Sequence, residues 1–467
     1  MFLELEKKPE NKIAAIDCTQ QMITYGELTE LCLSNTKIME QRSLVFIVCN
    51  NEIGSLVAYL YSIQRNCVPL LINESIDNEL LTNLKNIYQP NYIFRSINSL
   101  KEFEGVVRWE TYGYELIELS RKRNNLNHQL ELLMTTSGST GSPKLVRYKK
   151  GNLEANAKNV AKAFSWDEHE KPLCDLSMSY TMGLNIINTH LYVGATLLLT
   201  NFNIITEEYW HFLKKYRATN FTGVPFSYDL LLKLHFKQMN IEHLKTLAQG
   251  GGKLSDKIFK EFAEFAESSG KRFIATFGTT ETSARISYLP NEYATKKIGS
   301  IGKAIPEGEL FLIDEDKHII SEVDKEGELV YKGPNVTLGY AECLEDLSKG
   351  DEFQGVFYTG DIAKKDEDGF YYIVGRKSRF LKLLGYRISL DQCESLIKVQ
   401  FSVECACTGD DDKMLVFIAG KNDANEIKYF LSQKTGIFQK MFKIIFIDKI
   451  PRNETGKIMY KELMRGI

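Results

Sequence analysis

The sequence predicts an α/β protein: a large N-terminal domain of parallel-rich sheets with helices and a smaller β-rich part, then a small α+β domain at the C-terminus. Three observations carry this. From Ile13 onward, short apolar runs alternate with helix-like segments, the pattern of parallel strands joined by crossover helices. From about Ile301 the rhythm changes to short strands with tight Gly turns, as at 309–313 and 328–331. Roughly ninety closing residues carry apolar runs of their own, at 415–419 and 444–447, enough for a separate small domain. A chain of 467 residues also exceeds one ordinary core.

In chain order, 44–48 reads as a buried strand, 53–64 as a helix and 68–72 as a second strand, which is one parallel-sheet unit. A helix at 78–87 and a strand at 92–94 repeat the alternation. Segment 97–130 is polar, carries Arg121-Lys122-Arg123 and reads as a solvated connector. It leads into the stretch around which the chain is organised, ELLMTTSGSTGSPK at 131–144. Leu132, Leu133 and Met134 can be buried as strand. Ser137-Gly138-Ser139-Thr140-Gly141 then supplies hydroxyls and open backbone N–H groups for an anion. Pro143 stiffens the exit and Lys144 adds positive charge. A flexible linker needs no apolar strand before it. A Walker A loop needs Gly-Lys-Ser/Thr, whereas Gly141 is followed by Ser142 and Pro143.

Asn152 is a good N-cap for a helix over 153–164. The middle of the chain continues with strands at 195–200, 221–224 and 244–248 and helices at 207–215 and 227–234. The last of these strands runs into Gln249-Gly250-Gly251-Gly252, where glycines bring backbone close to a flat ligand or make a turn. A helix at 255–266 and a strand at 272–276 precede Phe277-Gly278-Thr279-Thr280-Glu281.

Composition narrows the class. With 43% hydrophobic and 25% charged residues the chain reads as globular and soluble, and a net charge of −3 gives no electrostatic footprint for nucleic acid. The apolar run 43–49 is too short to span a bilayer, and the charged start MFLELEKKPENK is not a secretory signal. Nine cysteines, an odd number without CxxC spacing, predict a reducing cytoplasm. Cys405 and Cys407 alternate as strand neighbours do, which predicts packing.

Four stretches in fixed order ask for one explanation: TTSGSTGSPK at 135–144, FGTTE at 277–281, YTGD at 358–361 with GR at 375–376, and PRNETGK at 451–457. Together they resemble the adenylate-forming superfamily of acyl-CoA ligases, luciferases and peptide-synthetase adenylation domains, from Thr24 to the C-terminus. The resemblance implies an AMP-binding domain over 1–376 with a β-barrel-like part, and a mobile lid domain over 377–467 that carries a catalytic Lys. It implies ATP-dependent activation of a carboxylic acid to an acyl-adenylate, then transfer to the thiol of coenzyme A or of a phosphopantetheine carrier protein. A carboxylate must approach a polyanion, and two unit charges about 4 Å apart repel by roughly 4 kcal/mol at an effective dielectric near 20. Positive and hydrogen-bonding groups must offset that.

By the resemblance, Thr136, Ser137, Gly138, Ser139, Thr140, Gly141 and Lys144 fold over the β- and γ-phosphates. Glu281 holds Mg²⁺, Thr280 faces the α-phosphate, and Gly250, Gly251 and Gly252 face Phe277-Gly278-Thr279 across the adenine slot. Asp361 and Arg376 take the ribose. Lys457 touches the substrate carboxylate and the α-phosphate, and Gly385 lines the thiol tunnel. The chain departs from the family at Leu145, where Gly is usual, at Phe277, usually Tyr, and at the pivot Ser378, usually Asp or Lys.

The acid pocket falls on Tyr180, Thr181, Met182, Gly183, Gly223 and Val224, with Asn185 and Ile186. Relatives that activate amino acids carry Asp where this chain has Thr181, and a neutral hydroxyl cannot replace a carboxylate for a desolvated ammonium. An acid without an α-amino group is therefore expected. The alternatives are an amino-acid or carrier-protein ligase of the same superfamily, and a nucleotide-binding protein without turnover. The last has no reason to keep Lys457 together with Glu281.

Overall fold

The computed structural model describes the chain except 35–37, 123, 136–143, 378, 384–385, 411, 421, 454–455 and 466–467, and except the side chains of Phe380, Lys382, Tyr386, Arg387 and Lys461. The chain forms two compact units, Met1–Glu309 with Tyr331–Phe357, and Leu310–Val330 with Tyr358–Ile467.

The first unit holds two large sheets. In the eight-stranded sheet, Tyr92–Ser96, Leu44–Cys49, Val68–Asn73 and Leu130–Thr135 run parallel side by side, and Leu145–Lys149 and Gly339–Ala341 close one edge antiparallel. The strand Leu44–Cys49 is buried along its whole length, because helices or loops cover both faces. Val45 and Ile47 pack with Leu56, Leu184 and Leu197 in one core, while Phe46 and Val48 pack with Leu81, Leu84 and Tyr88 in another, the period-two split of a central strand. In the nine-stranded sheet, Arg272–Phe277, Thr246–Gln249, Asn220–Gly223, Pro172–Cys174, Leu197–Leu199 and Ile13–Asp17 form the parallel run.

Most expected elements are present within a residue or two, and the differences have physical causes. The helix Thr181–Val193 carries no visible amphipathic period, because even its Asn185, Asn188, Thr189 and His190 are buried. Segment 97–130 is not a plain connector. It contains the hairpin Val106–Thr111/Tyr114–Glu118, turned by Tyr112 and Gly113, both at positive φ as a primed two-residue turn requires. Gly151, not Asn152, caps the helix Asn152–Phe164; the Asn152 amide instead donates to the carbonyls of Pro334 and Val336.

The second unit begins with a five-stranded sheet that includes Val356–Lys365 and Tyr371–Arg376. Beyond it, the sheet of Cys405–Asp410, Lys413–Ala419 and Phe442–Ile447 packs on the helices Leu390–Phe401 and Ala424–Thr435. Leu383, Ile397, Cys405, Cys407, Val416 and Leu431 share its core, so the two alternating cysteines are packing residues. All nine cysteines are free thiols. Among the described residues no helix is long and apolar enough to cross a membrane.

One buried carboxyl makes stability pH-dependent. Burial first, and then the neighbouring Glu154, push the Glu131 carboxyl up to about 7. A raised carboxyl pKa stabilises the fold fully below the ordinary value and loses that contribution as pH rises through the folded value. Glu131→Gln is therefore expected to be more stable than the parent at pH 9, by on the order of 2 kcal/mol, with the difference shrinking toward pH 5. Urea unfolding at both pH values checks this, and a pH-independent difference would count against it.

Candidate active site

The strand Leu130–Thr135 delivers the Gly-rich stretch, and Thr135 pairs with Leu145 on the returning strand. Residues 136–143, and with them Thr136 to Gly141, lie outside the described residues. Lys144 is described. Its ammonium stands 3.7 Å from the ring centroid of Tyr340, a close cation–π contact, and 4.0 Å from Glu342. Tyr340 belongs to the edge strand Gly339–Ala341, opposite Val146. Arg147 fixes that strand: its buried guanidinium donates to the carbonyls of Leu338, Tyr340, Lys349 and Gly350.

The Tyr340 hydroxyl donates to Glu281 Oε1 at 2.8 Å. Burial, reinforced by the facing carboxylate, pushes this phenol's pKa up, so it remains a donor. Glu281 sits in a single 3₁₀ turn, Thr280–Thr282, just after the strand Arg272–Phe277. The Thr280 carbonyl accepts from the Tyr148 hydroxyl at 2.8 Å, and the Glu281 carbonyl accepts from the Thr337 N–H at 3.0 Å. Gly278 is obligatory here, since a Cβ would lie 1.3 Å from the Ala284 carbonyl oxygen. The structure thus gathers Lys144 and Glu281 on one tyrosine. Tyr340 was invisible in the sequence, where it is a lone aromatic 59 residues beyond Glu281.

Gly250–Gly252 follow the strand Thr246–Gln249, and the Gln249 side chain donates back to the Gly252 carbonyl at 2.8 Å. Gly251 has φ +77, and a Cβ there would stand 2.6 Å from the Tyr180 hydroxyl; one on Gly250 would meet Met182 at 2.5 Å. The glycine strip is therefore where expected acid-pocket residues reach the expected adenine wall. Val224 approaches the same Gly251 position at 3.1 Å, and Gly223 accepts from the Gly250 N–H at 3.1 Å. Gly183 lies in the first turn of the helix Thr181–Val193, where a Cβ would strike the Ser177 carbonyl oxygen at 2.2 Å. Thr181 opens that helix and shares a side-chain hydrogen bond with Tyr148.

In the second unit, Asp361 and Arg376 sit opposite each other on paired strands, with Arg376 Nε 2.9 Å from Asp361 Oδ1. Asp361 lies inside the strand Val356–Lys365, after Gly360 at φ +71. Asn453 holds Lys457: the Lys457 N–H donates to Asn453 Oδ1 and the Asn453 N–H to the Lys457 carbonyl, both at 2.9 Å. Arg452 pairs with Ile458 and donates to the Gly456 carbonyl. Ser378 and Gly385 lie outside the described residues.

Magnesium takes one or two protein carboxylates and fills its octahedron with phosphate oxygens and waters. Among the described residues no group of three or more metal-ligating side chains exists, and a single carboxylate held at one oxygen, as Glu281 is, fits that donor set.

The fold is that of adenylate-forming enzymes. The O-succinylbenzoate coenzyme A synthetase of Bacillus subtilis, solved with ATP and magnesium, superposes with a TM-score of 0.79 over 98% of each chain at 21% identity. A family model described as AMP-binding enzyme matches residues 3–341. The chain belongs to that family. The 2-succinylbenzoate–CoA ligase of Listeria monocytogenes is 28% identical over 400 residues, 83% of this chain and 82% of that one. The oxalate–CoA ligase of Arabidopsis thaliana is 28% identical over 344 residues, 70% of this chain and 65% of its own length.

Proposed function

We propose that this enzyme joins a carboxylic acid without an α-amino group to coenzyme A in two steps at the expense of ATP. The observation that supports the reading is the Lys144–Tyr340–Glu281 contact, in which the ammonium expected to bind phosphate and the carboxylate expected to bind magnesium meet one side chain. In the first step a carboxylate oxygen attacks the α-phosphorus, the bond to pyrophosphate breaks, and an acyl-adenylate remains. In the second, the thiol sulfur attacks the acyl carbon, its proton is released, and AMP leaves. Mg²⁺, bound at Glu281, would supply charge neutralisation at the phosphates.

Thr136 to Gly141 and Lys144 bind the β- and γ-phosphates, and Thr280 faces the α-phosphate. Phe277, Gly278 and Thr279 face Gly250–Gly252 across adenine, Asp361 and Arg376 hold the ribose, and Lys457 spans carboxylate and α-phosphate. Tyr180, Thr181, Met182, Gly183, Gly223 and Val224 receive the acid. In this reading 377–467 is the lid that carries Lys457, with Ser378 as its pivot residue and Gly385 as its thiol-tunnel residue. Coenzyme A rather than a carrier protein is the acceptor in this reading, supported by the names of both relatives. Nine free thiols support a reducing compartment, the cytoplasm.

Thr181 sets the acid class. No Asp or Glu occurs between Tyr180 and Thr189, so a buried α-ammonium would lack its partner. Pyrophosphate release across a panel of plain, hydroxylated and amino acids at equal concentration is expected to be fastest with acids that have no amino group. Fastest turnover with D- or L-amino acids would overturn this and favour a carrier-protein amino-acid ligase.

A further inference from the structure

Among the described residues two arginines are wholly buried, Arg147 and Arg285, and the fold treats them differently. Arg147 is surrounded by four carbonyls and the Glu352 carboxylate. Arg285, four residues beyond Glu281, has two neutral acceptors: Nη1 donates to Asn185 Oδ1 at 2.6 Å and Nη2 to Thr222 Oγ1 at 3.3 Å. Its Nε is buried without a partner, and among the described residues the titratable group whose charge acts on it is Tyr180, not a carboxylate. The rings of Phe164 and Trp166, 5.2 and 5.7 Å from its central carbon, offer only partial compensation, and Trp166 Nε1 is itself a buried donor without an acceptor.

A guanidinium stays charged inside proteins, and a buried charge without a counter-ion is strongly unfavourable. The fold nonetheless holds it firmly. Asn156 donates to the Arg285 carbonyl at 2.8 Å and accepts from Asn185 at 2.6 Å, so helices Asn152–Phe164 and Thr181–Val193 are both tied to it. Its position is as telling as its lack of a partner. Asn185 is itself one of the expected acid-pocket residues and Thr222 adjoins another, Gly223, and the Arg285 charge also lowers the Tyr180 pKa against the upward push of burial.

From this geometry we infer that Arg285 is a specificity-determining residue that pairs with a second carboxylate on the acid, so the enzyme takes dicarboxylic acids and activates one end. The inference rests on the acid-pocket reading above. A monoacid has one carboxylate, which the reaction takes to the α-phosphate, so the guanidinium stays unpaired. In a diacid the second carboxylate keeps its charge through both steps. The same field opposes an α-ammonium, in the same direction as Thr181.

The test is pyrophosphate release by the full-length protein with matched pairs: butanoate and succinate, pentanoate and glutarate, benzoate and phthalate. In the pair with fastest turnover the diacid is expected to exceed the monoacid at least tenfold in kcat/KM. Arg285→Gln should cut that ratio at least tenfold, through the diacid's KM, and Arg285→Lys should recover part of it. A ratio at or below one in every pair overturns the inference, as does an unchanged ratio in Arg285→Gln; a network that holds only water gives these results. If Arg285→Gln does not fold, the parent's own ratio decides. If no acid releases pyrophosphate, the ligase reading fails separately. A succinate-induced rise in the parent's unfolding temperature that butanoate does not produce then supports the inference, and its absence sinks it.

Discussion

Lys457→Ala is expected to slow acyl-adenylate formation by a factor on the order of 10²–10³ while leaving thioester formation from a supplied acyl-adenylate within a few-fold of the parent. The asymmetry follows from when charge is crowded. In the proposed first step two anions meet, and an ammonium set against both would lower the barrier there. In the second step the carboxylate charge is gone and the attacking group is a thiol. The substitution also spares these hydrogen bonds, because Asn453 holds Lys457 through backbone N–H and carbonyl, which alanine keeps. Lys457→Arg separates charge from shape, since a planar fork cannot reproduce a compact ammonium. Single-turnover measurements of each half-reaction decide the matter, and equal loss in both would remove Lys457 from an adenylation-specific role.

What could be read from the sequence depended on whether a residue's environment is local. The strands Leu44–Cys49 and Val68–Asn73 were legible because strands buried on both faces are unbroken apolar runs. The helix Asp256–Ser268 was legible because it buries one stripe, Phe259, Phe262, Ala263 and Ala266, at helical spacing. Thr181–Val193 was not, since tertiary packing surrounds it and leaves no polar face to set a period.

The candidate site divides in the same way. FGTTE could be found because backbone and side chains act from one contiguous turn, where Gly278 alone tolerates the approach of Ala284. The tyrosines that hold the turn could not. Tyr148 comes from the strand after the Gly-rich stretch, 132 residues from Thr280, and Tyr340 from an edge strand fixed by Arg147. Arg285 is the extreme case. Its sequence neighbours are ordinary, and only the fold reveals that its guanidinium is wholly buried with Nε unpartnered.

Glu281→Gln is expected to raise the Mg²⁺ concentration needed for half-maximal adenylation by on the order of 100-fold, since an amide oxygen lacks the charge that holds a hard divalent ion. The substitution is clean in shape: Gln can still accept the Tyr340 hydrogen bond, so the turn stays anchored while the charge is lost. Tyr340→Phe makes the reverse change. It keeps the ring beneath Lys144 and the Glu281 charge but releases Oε1, and losing such a supporting partner costs roughly tenfold in metal affinity. Tyr340→Leu, which also removes the ring, should additionally weaken ATP binding at saturating Mg²⁺. Mg²⁺ titrations of pyrophosphate release on the three variants order these effects. An unchanged Mg²⁺ dependence in Glu281→Gln would make Glu281 a structural residue of the turn, and the Lys144–Tyr340–Glu281 contact would then no longer support nucleotide chemistry.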